Sequence, residues 1–452
     1  MRRRKEPQKT KAETATVIQE LLHSRYFQNL ATTVGSQATI LALGVFTGIA
    51  AARLLGPQGR GALAAALLWP LVLVLLASLG LNQAIVFHVG KQRFTLAQVW
   101  TAALALWLAQ SIVVLLAGRS VVALALRHYS PEVRHVSLLF LTFVPLLMLG
   151  GYPANLLQGR LDLLAFNLLR AITPLVYAAG LIILMLRGRA SLREVVALQI
   201  IGACLTVAIG LWLAFSRVRQ QAGRLLDWNR TACASLLKFG WKSNLSSVTS
   251  YANQRSDQLL LSLFVGPHDL GLYVVAVALA TAVSFFPQAA GVVTLATGSN
   301  LAPEDARRVI IRSFRVTLAA LGAGCGLLLV LCPWLIAFAY GASFAPAVTA
   351  CKILLPGSVA LGLNQVLYDG ARALDQPLLP SYSEGISTAV TFGTLLLLLP
   401  RFGFLGAAIA STLAYCTGLA VTLHLARTRL GIGLRDLFGS LLALPALSHA
   451  AP

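Results

Sequence analysis

The chain has 452 residues, of which 57% are apolar and 11% are charged, and its formal net charge is +21. A mean hydropathy of +0.77 excludes a soluble protein with a single core and indicates an integral membrane protein. Basic loops at a membrane surface account for most of the positive charge, so nucleic-acid binding is not needed to explain it.

A polar, basic segment opens the chain with the sequence MRRRKEPQKTKAETATVIQE. A long polar stretch separates its basic residues from the first apolar run, and no small-residue cleavage site follows. A secretory signal peptide has a different order of regions. We therefore predict that residues 1–26 form a retained cytoplasmic arm.

Apolar runs long enough to cross a bilayer follow the arm and recur to near the end of the chain. A transmembrane helix needs about 20 mainly apolar residues, and short polar or basic breaks separate these runs. The pattern predicts an all-α polytopic membrane protein with twelve transmembrane helices, at residues 28–52, 62–86, 96–117, 136–157, 166–186, 194–215, 243–265, 271–296, 314–339, 346–370, 378–399 and 404–426.

The distribution of basic residues predicts the orientation of these helices. With the N-terminus in the cytoplasm, and with basic residues near a helix end counted with the adjoining loop, 25 of the 36 Lys and Arg residues fall on the cytoplasmic side and 10 on the opposite side. The remaining one, Arg255, lies within the seventh predicted helix. Because cytoplasmic loops are enriched in Lys and Arg, we expect both termini in the cytoplasm.

A short motif occurs twice in the chain. Gly56-Pro57-x-x-x-Gly61 in LLGPQGRGAL is repeated 210 residues later as Gly266-Pro267-x-x-x-Gly271 in LFVGPHDLGLY. Its spacing does not fit a nucleotide-binding loop. Proline stops a helix and glycine permits a turn, so both motifs predict a periplasmic turn between the first two helices of a repeat.

A second pair at nearly the same offset supports a duplication. Gln158-Gly159-Arg160 in the first half matches Asp369-Gly370-Ala371 in the second. The offset spans six helices, an even number, so the halves share one orientation. We predict two six-helix lobes related by a pseudo-twofold axis along the membrane normal.

The duplication divides the chain at its longest basic loop, which lies near the middle. We predict five segments: the arm 1–26, an N-terminal six-helix lobe 27–215, a basic cytoplasmic linker 216–242, a C-terminal six-helix lobe 243–427 and a cytoplasmic or interfacial tail 428–452.

Polar side chains share one face on several predicted helices, including the first helix and its repeat equivalent, the seventh. Lipid cannot satisfy such groups. Single Ser or Thr residues fit hydrogen bonding between helices, whereas the collected stripes predict a polar central cavity. Its predicted lining is Asn29, Thr33, Ser36, Asn82, Tyr251, Gln254, Arg255, Asp257, Gln258, Gln288, Gln365, Tyr368, Asp369 and Arg372.

Arg255 lies about halfway along its predicted helix, where an unpaired and unhydrated charge costs several kcal/mol. Asp257 is two residues away, which is about 200° of rotation on a helix, so the two side chains do not face each other. We expect Arg255 to face the cavity and attract an anion. The alternative is a structural ion pair with an acid such as Asp369 or Asp257.

The sequence carries no signal for catalysis or for a bound metal or cofactor. Its six cysteines have no C-x-x-C spacing and its seven histidines no H-x-x-x-H pair, so a redox or metal site is not expected. GVFTG at 44–48 and GAGCG at 322–326 are small-residue motifs of the kind that pack helices together.

Several segments in order carry a resemblance to a known family. Asn29 is followed by RLLGPQGRGALA, ASLGLNQAI, NLLQGRLDLLAFNLLRA, SYANQRSDQLLLSLFVGPHDLGLYVVAVALA, YGASFAPAV, ILLPG and RFGFLGAAIASTLAY. From about residue 25 to 427 the chain resembles the Wzx-type polysaccharide flippases. These belong to the larger group of multidrug/oligosaccharidyl-lipid/polysaccharide exporters.

The resemblance implies a V-shaped pair of lobes with helices one, two, seven and eight lining the cavity. It implies alternating-access transport of undecaprenyl-pyrophosphate-linked oligosaccharides across the bacterial inner membrane, for O-antigen, capsule or exopolysaccharide. Arg255 would then hold the pyrophosphate or an acidic sugar. The implied partners are this lipid-linked substrate, membrane lipids and a polysaccharide polymerase, with a proton or sodium gradient as an expected energy source.

Two other transporters remain as alternatives. A multidrug extruder of the same fold would need cavity carboxylates, and the helices offer mainly Asp257, Asp369 and Glu384. A lipid II flippase is closer in chemistry, but that family resembles a fourteen-helix protein with several arginines in the first lobe's cavity. A non-transporting scaffold is disfavoured because it gives no reason for the polar stripes.

Overall fold

The computed structural model describes residues 25–222, 224–299, 301–376 and 378–439. Nearly all of the predicted basic arm and the end of the predicted tail lie outside these residues. Within them the regular structure is helical throughout, as expected for a chain that crosses a membrane without closing a barrel.

Fourteen α-helices are present in the described residues. In chain order they are α1 Arg25–Ala77, α2 Leu81–Gly90, α3 Leu96–Ala125, α4 Pro131–Thr142, α5 Val144–Gly159, α6 Leu163–Leu186, α7 Leu192–Ala222, α8 Arg230–Phe264, α9 Pro267–Ala280, α10 Phe285–Gly298, α11 Pro303–Ala339, α12 Ala347–Ala373, α13 Leu379–Leu425 and α14 Leu434–Phe438.

By length and composition, eight helices of the described residues can cross a membrane, and nine if the bent pair α4 and α5 forms one span. The sequence predicts twelve. The seventh predicted helix lies within α8, which does not meet the same hydropathy test because its polar side chains interrupt the apolar run. The multi-pass helical class is confirmed, while the number twelve stays a prediction.

Two of the long helices contain one non-helical glycine each. Gly56 in α1 has φ 64° and ψ −178°, and Gly403 in α13 has φ 54° and ψ −135°. A positive φ is open to glycine at little steric cost. α1 therefore holds the first predicted helix before Gly56 and most of the second after it, and α13 likewise holds the eleventh and twelfth around Gly403.

Other predicted helices are broken or longer than the sequence indicates. The second is interrupted at 78–80, the fourth at Phe143, and the eighth by the 3₁₀ turn Thr281–Ser284. The predicted linker 216–242 is largely helical, because α7 continues to Ala222 and α8 begins at Arg230. Hydropathy marks the apolar part of a helix and not the polar turns by which it extends past the bilayer.

The chain divides into two compact units. The first consists of the residues up to Leu54, Trp69–Leu124 and Arg134–Val248. Its core surrounds the buried side chains Trp100 and Tyr152, to which α2, α3, α5, α7 and α8 contribute apolar residues. These two aromatic residues supply the largest buried areas in that core.

The second unit consists of Leu55–Leu68, Ala125–Val133 and the chain from Thr249 onward. Its core contains Phe314 of α11, Leu367 of α12, and Leu437 of α14. Arg315 Nε donates to the Asp436 carbonyl at 3.0 Å. The described part of the predicted tail is thus packed against α11.

The two Gly-Pro motifs pack against each other within the second unit. A Cβ on Gly61 would lie 1.6 Å from the Pro267 carbonyl oxygen, and a Cβ on Gly271 would lie 2.0 Å from that of Pro57. Each motif therefore supplies the glycine that the other motif's backbone approaches. This reciprocal contact is what two copies of one motif give when they meet about a twofold axis.

The glycine motifs at 44–48 and 322–326 differ in how far other residues cover them. A Cβ on Gly44, Gly48, Gly322 or Gly326 would meet no atom within 4 Å, whereas one on Gly324 would lie 3.7 Å from a Val283 methyl group. The second motif therefore packs through its central face, while the glycines of the first meet open space. Much closer packing occurs at Gly80, whose Cβ would lie 2.1 Å from the Gly240 carbonyl oxygen in the first unit.

Candidate functional site

An asparagine pair joins two helices of the first unit. Asn155 Nδ2 of α5 donates to Asn82 Oδ1 of α2 at 2.9 Å and to the Gly151 carbonyl at 2.6 Å. Both side chains are half-buried. Two amides that are hydrogen-bonded to each other can lie among apolar helices at a low cost in free energy.

The polar face of α1 contacts α6. Asn167 Nδ2 donates to Thr33 Oγ1 at 3.0 Å. Ser36 is half-buried, and its Oγ has no hydrogen-bond partner in the part of the chain that the structure describes. Asn29 belongs to α1, and its side chain lies outside the described part. The predicted stripe thus contributes a helix-to-helix hydrogen bond through Thr33, and the Ser36 hydroxyl oxygen is buried.

Arg170 on α6 is a cation that sequence reasoning missed. Its Nη2 donates to Gln37 Oε1 at 3.0 Å, and its guanidinium lies 5.1 Å from the centre of the Phe166 ring. The side chain is exposed. Its position three residues after Asn167, on the same helical face, was the available signal.

Arg255 on α8 has a similar arrangement in the second unit. Its Nη1 donates to Gln258 Oε1 at 2.9 Å, the arginine is exposed, and Gln258 is buried. Tyr251 is half-buried and Gln254 exposed on the preceding turn. A neutral amide oxygen orients the guanidinium without cancelling its charge, so Arg255 stays free to bind an anion.

Asp257 points to a different set of partners. Its carboxylate accepts a hydrogen bond from the Tyr273 hydroxyl at 2.5 Å, and Ser411 Oγ lies 3.4 Å away. The residue is 5% exposed. The separation of Asp257 from Arg255 expected from helical rotation is present, and the carboxylate is a buried acceptor that joins α8, α9 and α13.

Asp369 on α12 is also engaged within the second unit. Arg372 Nη1 donates to it at 2.7 Å and Gln365 Nε2 at 2.8 Å. The side chain of Asp369 is 6% exposed and that of Arg372 45%. A Cβ on Gly291 of α10 would lie 2.2 Å from the carboxylate, so glycine makes room for it.

The remaining predicted lining residues have separate positions. Tyr368 is buried, and its hydroxyl donates to Ser383 Oγ at 3.1 Å, whereas Gln288 is exposed on α10. Asn29, Thr33, Ser36 and Asn82 belong to the first unit, and the other predicted residues to the second. Within each unit the structure places several of them beside one another.

Sequence reasoning also missed two aromatic residues at these clusters. Tyr273 is fully buried and donates to Asp257, and Tyr152 donates to Gln110 Oε1 at 3.1 Å in the first unit. A tyrosine in an apolar run resembles a core residue in the sequence. The requirement that a buried hydroxyl find a partner was the available signal.

Solved structures share this fold at low sequence identity. A structure titled as the lipid II flippase MurJ in an inward closed conformation has a TM-score of 0.72 at 16% identity, covering 88% of each chain. An inward-facing multidrug resistance MATE transporter of the MOP superfamily has a TM-score of 0.70 at 13% identity, covering 86% of this chain and 94% of that one. A MOP superfamily transporter from Pyrococcus furiosus, whose title describes a binding pocket of reverse polarity, has a TM-score of 0.57 at 12% identity, covering 89% and 94%.

The chain thus has the all-helical fold of these MurJ and MATE structures. The model of the Polysaccharide biosynthesis protein family matches residues 27–295, more than half of the chain. The chain belongs to this family. No curated protein matches the sequence.

Proposed function

We propose that this protein is a flippase for undecaprenyl-pyrophosphate-linked oligosaccharide repeat units. It moves them from the cytoplasmic to the periplasmic leaflet of a bacterial inner membrane by alternating access, for assembly of a surface polysaccharide. The family match supports the polysaccharide pathway. The polar side chains on the membrane helices supply contacts for a sugar, which needs many hydrogen bonds.

The observation that carries this proposal is that each unit has an exposed arginine held by a neutral glutamine. Arg170 donates to Gln37 in the first unit, and Arg255 donates to Gln258 in the second. Arg255 lies about halfway along its predicted helix, where a charged side chain is costly and usually has a functional reason. Guanidinium groups form paired, charge-assisted hydrogen bonds with phosphate oxygens, which suits a pyrophosphate.

The acidic residues fit a cationic drug less well. Asp257 is buried and accepts from Tyr273, and Asp369 is paired with Arg372. Glu384 is half-buried on α13. A drug exporter requires carboxylates that a cation can reach, and two of these three carboxylates are already occupied as hydrogen-bond acceptors. These contacts favour an anionic substrate over a cationic one.

The proposal is tested by mass spectrometry of lipid-linked oligosaccharides in cells that lack the gene, with a blot for surface polysaccharide. We expect one complete repeat unit to accumulate on the lipid and its polymer to disappear from the surface. Accumulation of the peptidoglycan precursor instead would assign the protein to lipid II. Unchanged lipid intermediates together with new sensitivity to cationic compounds would show a drug exporter.

Complementation of these cells tests the two arginines. Arg255→Ala and Arg170→Ala should each lower transport at least ten-fold, since a hydrogen bond to a charged group contributes about 1.5–3 kcal/mol. Arg255→Lys should retain part of the activity if the charge alone matters. Arg401→Ala removes an exposed arginine of α13 outside the predicted lining and is the matched control. Normal transport by both alanine variants at normal protein levels would contradict anion binding by these residues.

A further inference from the structure

A cavity of about 820 Å³ lies at one end of the first unit, away from the predicted lining residues. The end of α2, the start of α3, the end of α5 and the segment after α7 enclose it. These segments are among those predicted to face the cytoplasm. Its size falls within the range of about 300–1,000 Å³ that is common for ligand pockets.

Positive charge dominates the wall of this cavity. Arg93, Arg160 and Arg224 line it together with one acid, Asp227. Arg160 Nη1 donates to Gln221 Oε1, a neutral acceptor that leaves its charge in place. The Asp227 backbone N–H donates to Thr101 Oγ1 at 2.9 Å, which fixes the segment after α7 against α3. Three guanidiniums and one carboxylate form an anion-binding wall.

Two helix C-termini form the rim of the same cavity. Gln92 has φ 50° and Leu161 has φ 62°, and each follows the last turn of a helix. The N–H groups of Gln92 and Leu161 donate to the Val89 and Gln158 carbonyls at 3.2 and 3.0 Å, as expected for a left-handed helix C-cap. Gln92 precedes Arg93 and Leu161 follows Arg160, so both arginines lie where a helix ends.

Exposed apolar residues flank the charged wall. Leu161 is 74% exposed, Leu226 63% and Trp228 60%. Tryptophan and leucine beside arginine are typical of a segment at the boundary between lipid and water. These residue types therefore suit a cavity that lies beside lipid headgroups. Basic pockets between transmembrane helices at a cytoplasmic surface bind phosphorylated headgroups.

We propose that this cavity binds the phosphate of an anionic phospholipid headgroup. Arg93, Arg160 and Arg224 hold the phosphate oxygens, while Leu226 and Trp228 lie at the level of the acyl-chain boundary. This site is separate from the predicted substrate-binding residues, and the proposal does not rest on the proposed function.

The test uses full-length protein purified in neutral phosphatidylcholine nanodiscs, with phosphatidylglycerol added and its binding followed by native mass spectrometry. We expect the double variant Arg93→Gln/Arg224→Gln to weaken phosphatidylglycerol binding about thirty-fold, because each basic residue near an anionic lipid contributes about 1 kcal/mol, or a factor of about five. The matched control is Arg187→Gln/Arg189→Gln, the same charge change at two exposed residues after α6, and its affinity should equal that of the wild type.

A second variant gives a change in the opposite direction. Asp227→Asn removes the one acid of the wall while keeping the shape, and it should raise phosphatidylglycerol affinity several-fold. Equal affinity in all variants would overturn the proposal. Saturation of the site by inorganic pyrophosphate at lower concentrations than phosphatidylglycerol, in detergent without lipid, would assign it to a soluble phosphate and overturn the lipid assignment.

Discussion

Substitution of the two reciprocal glycines tests the internal duplication most directly. A Cβ on Gly61 would lie 1.6 Å from the Pro267 carbonyl oxygen, and one on Gly271 would lie 2.0 Å from the Pro57 carbonyl oxygen. A carbon and an oxygen in contact are about 3.3 Å apart. Gly61→Ala thus requires the two backbones to separate by more than about 1 Å, since a carbonyl oxygen cannot rotate away as a side chain does.

Overpacking of this kind lowers the free energy of unfolding by about 1–3 kcal/mol. We expect both Gly61→Ala and Gly271→Ala to lower the midpoint of thermal unfolding of the purified protein in detergent. The double variant should be less destabilised than the sum of the two single variants, because the separation forced by one methyl group already accommodates the other.

Gly322→Ala is the matched control for these variants. A Cβ there meets no atom within 4 Å, and alanine is a better helix former than glycine by about 1 kcal/mol. Its unfolding midpoint should be equal to or above that of the wild type. If Gly61→Ala and Gly271→Ala unfold like this control, or if their effects add fully, the two motifs do not pack as a reciprocal pair.

Three further substitutions test contacts within the units, each measured by thermal unfolding of purified protein. Gly240→Ala should destabilise the first unit, because its Cβ would lie 2.5 Å from the Leu79 carbonyl oxygen; Gly326→Ala, where a Cβ meets open space, should not. Tyr273→Phe should lower the free energy of unfolding by about 1–3 kcal/mol, since it removes the hydrogen-bond donor of a buried carboxylate. Unchanged unfolding would refute a stabilising role for this hydrogen bond. Arg372→Gln should cost about 1 kcal/mol after allowance for its exposure, and adding Asp369→Asn should recover part of that loss if the ion pair is the cause.

Hydropathy predicts most of the helices but not their ends or interruptions. An apolar run of about 20 residues identifies a span because the bilayer imposes that length. The extension of α8 back to Arg230 and of α11 back to Pro303 lies in polar sequence, to which a hydropathy window gives no weight. The break at Phe143 leaves no mark in hydropathy, because the residues on both sides are apolar; its signal is Pro145 in the first turn of α5, a residue typical of a helix start.

The residue types of the candidate site were predictable from the sequence, but their hydrogen-bond partners were less so. Helical spacing separates Arg255 from Asp257. In the structure Arg255 is hydrogen-bonded to Gln258, and Asp257 to Tyr273. The hydrogen bond between Asp257 and Tyr273 joins residues of α8 and α9, which no single-helix pattern can reveal. The role of Arg170 was missed because it lies near the start of α6, where a basic residue resembles a membrane-surface anchor.

The two Gly-Pro motifs show which kind of position a sequence repeat can reveal. Each copy supplies the glycine that the backbone of the other copy approaches, so both copies require glycine at the same place. The arginines of the cavity in the first unit are exposed, and backbone packing does not fix their identity. A repeat in the sequence therefore identifies positions that backbone packing fixes, whereas a ligand site formed by exposed side chains has to be found from the structure.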